Sequence, residues 1–392
     1  LLLTLRDAAR YLAAADTAGV PYHRREHLRR AEASLQALEN QLLTDRSELA
    51  RDVPAVLTVL RTITHELREQ AEAAAAHTLP NPFVAGDPLT PEQGRQLFRG
   101  RESLVRQIEV LVADPERSVS IVLLGPRRCG KTSLLRMLPA LLPDTQCVFF
   151  DLQNNPVDSA TGFFEALARQ ARDQARRQRR WDLPPLPPGP PFEAGARWFE
   201  ALEQAAGDRR ILICIDEFDR LEELFPGDRR ELLQLMGLVR ATIQHRRRLR
   251  LLVSGVTPFD ELGALWDDHF INSREIRLGH LDHPAALDLL TRPVSEFPEH
   301  AVPPEVADAI FQRTGGQPYL LQLYGSLLVT RLNDGGSRQA CLDDLAPVEE
   351  QVLTQAASYF RHLLSAAPRD AREALENMTR GYAPAPEPTV RR

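Results

Sequence analysis

Lysine is nearly missing from this chain: one residue in 392, against 47 arginines. Cysteine is scarce as well. Cys129, Cys147, Cys214 and Cys341 are the whole complement, and no two stand in a Cys-x-x-Cys pair. That argues against a disulfide framework or a zinc site and suits a cytoplasmic protein. Cys147 and Cys214 fall in apolar runs and read as small buried hydrophobes. No apolar stretch approaches the roughly 18 residues of a membrane-spanning helix. Leu1-Leu2-Leu3 is too short for the core of a signal peptide, and a first residue other than Met suggests a truncated N-terminus. A basic excess is also lacking. With a formal charge of −6 and an isoelectric point near 6.0, no global field gathers nucleic acid, and DNA is not an expected partner. At 44.0 kDa the chain should hold two or three domains.

The one lysine, Lys131, stands in Gly125-Pro126-Arg127-Arg128-Cys129-Gly130-Lys131-Thr132-Ser133. Gly-x-x-x-x-Gly-Lys-Thr is the phosphate-binding loop pattern. An ammonium is a compact point charge that reaches between β- and γ-phosphates, whereas a planar guanidinium is too wide. Residues 118–124, short and β-branched, predict a buried parallel strand, and 132–138 carry apolar residues at helical spacing. Strand, glycine-rich loop, helix is the order such a loop needs. Gly125 and Gly130 let backbone N–H groups turn inward, and the new helix offers its positive end. Thr132 supplies a hydroxyl for Mg²⁺. The expected cofactors are ATP or ADP with Mg²⁺, bound along Gly125 to Ser133.

Residues 209–219 run apolar and then end in acids, as a buried strand does when its carboxyl end enters a site. Asp216 is placed to hold the Mg²⁺ shell, and Glu217 to polarise the attacking water as general base. Further strands are predicted at 146–151, 249–254 and 275–278. Ser254 and Thr257 close the second of these, where a hydroxyl can sense a γ-phosphate or orient the water.

The fold class expected is α/β: a P-loop NTPase with a parallel sheet flanked by helices, an N-terminal helical segment and a C-terminal helical lid with a partial winged helix. Residues 1–79 read as helices at 3–17, from 23 to 52, and from Pro54 in a first-turn position to the alanines at 71–76. Ten arginines and eleven carboxylates there make a nearly neutral adaptor or oligomerisation surface. Four prolines in 80–99 mark an extended linker. The ATPase core is placed at 80–280, including helices at 100–113 and 160–176. A proline-rich stretch at 183–191 reads as a surface loop, with a polyproline reader as its alternative use. The lid is placed at 281–345, with Gly315-Gly316-Gln317-Pro318-Tyr319 between two of its helices, and the partial winged helix and tail at 346–392.

Asn81-Pro82-Phe83, Leu97-Phe98-Arg99-Gly100-Arg101-Glu102, the loop with its paired arginines, Ile213 to Asp219, and Gly316-Gln317-Pro318 together resemble the bacterial STAND-class ATPases. These are signal-transduction ATPases related to the origin-recognition group within AAA+. The resemblance spans about residues 81–365. It implies a switch that binds ATP, closes its lid, assembles as a homo-oligomer and resets by slow hydrolysis, with a protein effector as a possible partner. It also implies that Pro318 packs near the adenine. No effector domain is recognisable. An arginine finger supplied between subunits is expected, with Arg274 as the candidate. The second reading is a DNA-engaged ATPase of origin-recognition or transposition-helper type, resting on Arg176, Arg177, Arg179, Arg180 and on Arg246, Arg247, Arg248, Arg250. A third, a scaffold that binds nucleotide without turnover, is opposed by Glu217.

Overall fold

The computed structural model describes residues 2–42, 49–76, 78–114, 120–155, 157–179, 181–221, 229–257 and 273–380. Residues 118 and 119 of the first predicted strand, Arg180, and residues 381–392 of the tail lie outside the described residues. Five strands form one parallel sheet: β1 (Ser120–Leu124), β2 (Thr145–Asp151), β3 (Arg210–Asp216), β4 (Leu249–Gly255) and β5 (Ser273–Arg277). Their order is β2-β3-β4-β1-β5.

Alternation along each strand divides the core in two. Val122, Leu124, Phe150, Ile213, Ile215 and Val253 face one side, under α7 (Ala160–Arg179), α8 (Pro191–Ala206) and α9 (Arg229–His245). Ile121, Leu123, Cys147, Leu212, Cys214 and Leu252 face the other, under α5 (Glu102–Ala113) and α6 (Lys131–Leu141). Covered on both faces, β1 to β4 need continuous apolar sequence, which is why they were readable; β5, at the sheet edge, has three of its five residues exposed. Cys147 and Cys214 are buried thiols, and burial pushes the Cys147 thiol up to about 12.

Helix α8 had no counterpart in the sequence reading. The prolines before it set its start: Pro191 is its first residue, where a missing N–H costs nothing. Nor is the proline-rich stretch a free surface loop. Leu183 is buried, Trp198 Nε1 donates to Pro184 O at 3.0 Å, and Arg197 donates to Pro188 O at 2.7 Å. Those two carbonyls are committed to the fold, while Pro185, Pro188 and Pro190 stay exposed.

At the N-terminus are α1 (Leu2–Thr17), α2 (Pro21–Leu42) and α3 (Leu49–Ala76). The second helix begins two residues before His23 and is described as far as Leu42; residues 43–48 of the predicted run lie outside the described residues. Pro54 is internal to α3 rather than in its first turn. So close to the start, the proline forfeits only one backbone bond, the one its N–H would have made to the carbonyl of Ala50.

The segment read as a linker is a strap built into the lid. Leu79, Phe83 and Leu97 are buried with α10 (His283–Thr291), α11 (Pro304–Thr314), α12 (Pro318–Asp334) and α13 (Leu345–Gln355). Asn333 closes a two-way bond with Leu79, its Oδ1 accepting from Leu79 N at 2.6 Å and its Nδ2 donating to Leu79 O at 3.0 Å. Asn81 Nδ2 donates to Ser326 O, and Val84 N to Gln322 Oε1. Proline and glycine gave the extended backbone; the asparagine, phenylalanine and leucines bury it. Two further helices follow, α14 (Ala357–Ala366) and α15 (Arg369–Arg380), and no strand occurs after β5 among the described residues.

Candidate functional site

Chain order and sheet order part company at β1, which lies between β4 and β5, and its loop leaves from the carboxyl edge. Parallel sheets bind ligands at such a crevice. Gly125 is required by space: a Cβ there would sit 2.4 Å from Leu278 O. Gly130, at φ +97°, is required by its backbone conformation. Arg128 also has positive φ, +60°, without being glycine. Cys129 is buried, and burial raises its thiol pKa, so it serves the loop as a packed hydrophobe.

Lys131 opens α6 and is buried, its Nζ donating to Gly125 O at 2.8 Å and to Pro126 O at 3.1 Å. The ammonium thus lies along the loop. Thr132 Oγ1 donates to Asp216 Oδ2 at 2.6 Å, so hydroxyl and carboxylate converge from α6 and the end of β3. Burial raises the Asp216 pKa, against the Thr132 and Ser254 hydroxyls and Lys131, which lower it. Two hard oxygens from one carboxylate and one hydroxyl suit Mg²⁺, which takes few protein ligands and completes its shell with water and phosphate. Among the described residues no cluster of three or more His, Cys, Asp or Glu could hold a metal by itself.

Glu217 follows in a left-handed conformation, φ +58°. A non-glycine residue there is uncommon and is found where a site fixes it. Its carboxyl pKa is raised by burial first and then by Asp216 and Asp219, with Lys131 and Arg127 opposing. Ser254 is the register partner of Asp216 on β4. Its buried hydroxyl lies close enough to Asp216 to lower that carboxyl's pKa, yet Oγ makes no hydrogen bond of good geometry. The structure therefore brings Lys131, Thr132, Asp216, Glu217 and Ser254 to one edge of the sheet.

The other predicted residues have positions of their own. Ser133 Oγ accepts from Leu89 N at 3.0 Å, so its side chain faces the strap. Pro126 and Arg127 are exposed on the loop. Pro318 is the first residue of α12, behind Gln317, whose Oε1 accepts from Leu320 N and caps the helix. Arg274 is exposed near the amino end of β5, paired in register with Ile121, away from the carboxyl edge. The arginines offered for DNA are largely engaged. Arg176 pairs with Asp182 at 2.8 Å, and Arg179 donates to Leu142 O and Thr145 O. Arg246 donates to Ala196 O, and Arg250 to Arg246 O and Asp114 O.

Sequence reasoning missed what holds the loop from behind. Arg101, buried, donates to Cys129 O at 3.1 Å and Gly279 O at 2.8 Å, and Gln317 Nε2 donates to Arg128 O at 3.1 Å. Arg101 sits in the quoted lead-in motif; nothing in its neighbours' identities gives its partners.

The five-stranded parallel sheet and this loop define a P-loop NTPase fold. Residues 116–262 match the family described as AAA domain. No curated protein matches the chain. Among solved structures it is similar in fold to the Walker-type ATPase PABY2304 of Pyrococcus abyssi, at 16% identity and TM-score 0.52, over 74% of this chain and 81% of that one. The Aeropyrum pernix ORC2 protein, solved as ADPNP–ADP complexes, matches at 13% identity and TM-score 0.45 over 73% of each chain. A Thermotoga maritima RuvB mutant matches at 15% and 0.43, over 68% of this chain and 73% of that one.

Proposed function

We propose that this chain binds ATP with Mg²⁺ and hydrolyses it slowly, as a signalling switch of the STAND class whose ATP-bound form closes its lid and assembles with further copies. The observation that carries the reading is the convergence of Thr132 and Asp216 at 2.6 Å beside the Lys131 loop, with Glu217 next in sequence. Lys131 exchanges its two loop carbonyls for phosphate oxygens, a charge-assisted contact. Thr132 and Asp216 hold Mg²⁺, which supplies neutralising charge to the phosphates. Glu217, its pKa raised toward the working range, takes a proton from the attacking water. Ser254 offers its free hydroxyl to the γ-phosphate or that water. Pro318 flanks the base from the lid. We place the domain limits near those expected, with residues 79–97 moved to the lid because their side chains pack there.

Glu217→Gln should retain ATP but hydrolyse it about 10²–10⁴-fold more slowly, the usual worth of a general base. Steady-state phosphate release measures this; equal rates in both proteins would move the base elsewhere or remove turnover. Mass photometry of the Glu217→Gln protein with ATP, against wild type with ADP, tests the switch. A mass that ignores the nucleotide would leave a static ATP binder. The DNA-engaged alternative stands as the second reading; of its arginines, Arg176, Arg179, Arg246 and Arg250 are tied to the protein's own carbonyls and carboxylates, which leaves it fewer cations to offer a phosphate backbone.

A further inference from the structure

Three separate contacts meet on Arg128. Its backbone holds the left-handed φ of +60°, which a β-carbon disfavours, so something outside the residue must impose it. Its carbonyl accepts from Gln317 Nε2 at 3.1 Å. Its guanidinium lies over the Tyr319 ring, 4.1 Å from the centroid, and 6.0 Å from that of Tyr359. The two tyrosines meet edge to face, with centroids 5.5 Å apart.

These partners come from the lid and beyond it. Gln317 caps α12, Tyr319 is the second residue of that helix, and Tyr359 belongs to α14. Gln317 spends one end of its amide on the helix, accepting from Leu320 N at 2.7 Å, and the other on the loop. A rotation of α12 that broke the cap would therefore release the loop carbonyl as well. An arginine stacked on one tyrosine by surface accident would not also be held at its backbone by the residue two before that tyrosine. Lysine would serve less well, since a planar guanidinium stacks on an aromatic face and an ammonium does not.

We propose that Arg128 is a positioning residue: with Gln317, Tyr319 and Tyr359 it clamps the phosphate loop to the C-terminal helices, so loop and lid are held or released together. The clamp fixes the peptide units on either side of Arg128 and with them the direction of the loop N–H groups. It works from behind the loop and touches no reacting atom. Its consequence for nucleotide retention rests on the ATP-binding reading above; its mechanical part does not.

The test uses the full chain and two readouts: amide hydrogen exchange of residues 125–133 without nucleotide, and release of a fluorescent ADP. Arg128→Ala and Tyr319→Leu should each speed loop exchange and ADP release by about 3–30-fold, the range a cation–π contact spans. Tyr319→Phe keeps the ring face and should stay within about twofold of wild type. Tyr319→Leu separates the clamp from any direct contact of Arg128 with phosphate, because it leaves the guanidinium itself in place. Loop exchange unchanged in both disruptive variants overturns the proposal, and so does a phenylalanine variant as fast as the leucine one. If wild type holds no ADP, the nucleotide reading fails, and the exchange arm alone decides the clamp.

Discussion

Two glycine turns, joined by the Gln317–Arg128 hydrogen bond, are glycine for opposite reasons. At Gly316 (φ +75°) a Cβ would stand 2.1 Å from Leu281 O, whose own N–H donates to Gly316 O at 2.8 Å. The space a side chain would need is filled by the protein's backbone. At Gly130 (φ +97°) nothing lies within 4 Å of the same position. There the protein leaves room. The lid turn is closed by the fold, and the phosphate loop is open at the matching position.

Substituting both glycines should separate these roles. Gly316→Ala adds overpacking against backbone to a left-handed penalty, about 2–5 kcal/mol in all. Gly130→Ala carries only the conformational penalty, about 1–2 kcal/mol, yet should remove nucleotide binding because its methyl enters the space left for phosphate. Thermal unfolding and titration with ATP measure the two. Equal destabilisation would mean that the Gly316 contact relaxes easily, and the contrast would be lost.

Next in size is Lys131. Lys131→Ala should weaken ATP binding about 10–150-fold, the worth of a charge-assisted contact of about 1.5–3 kcal/mol. Lys131→Arg should fail too, since the fork does not fit between phosphates. Calorimetric titration decides it. An arginine variant that binds like wild type would show that the space at the loop is wider than the argument requires, and that the single lysine among 47 arginines is incidental.

The loop side of this comparison was legible in the sequence; the lid side was not. Gly125, Gly130, Lys131 and Thr132 act through a local pattern, and Asp216 ends a strand whose unbroken apolar run announces burial on both faces. The strap failed the same reading because composition reports backbone tendency, not burial. Pro80 and Pro82 do lie in extended chain, but Phe83 fills the space that Gly325 leaves on α12, where a Cβ would come within 2.6 Å of its ring. Helix α8 was hidden by the prolines that start it. The Arg128 clamp joins residues far apart in sequence, and only topology sets them side by side.

The smallest effect expected concerns charge rather than space, and it extends the same contrast. Asp216 is buried with its carboxyl pKa above the ordinary 3.8, chiefly through desolvation and despite the Thr132 and Ser254 hydroxyls. The folded protein therefore holds this proton more tightly than the unfolded chain does. Asp216's contribution to stability is fully present below the unfolded carboxylate range and is lost as pH rises through the raised value. Above that raised value the free protein carries a desolvated carboxylate, which a cation held by Thr132 and Asp216 would compensate. Asp216→Asn removes the titration and keeps the shape. With nucleotide absent and divalent ions chelated, the melting temperature of wild type should fall relative to that of the variant as pH rises from the ordinary carboxylate value of 3.8 through the raised one, and the variant should be the more stable above it. Added Mg²⁺ and ATP should then stabilise wild type and leave Asp216→Asn nearly unmoved. Parallel pH profiles for the two proteins would mean that Asp216 is compensated within the fold, and the site would be no more ligand-shaped in charge than the lid turn is in space.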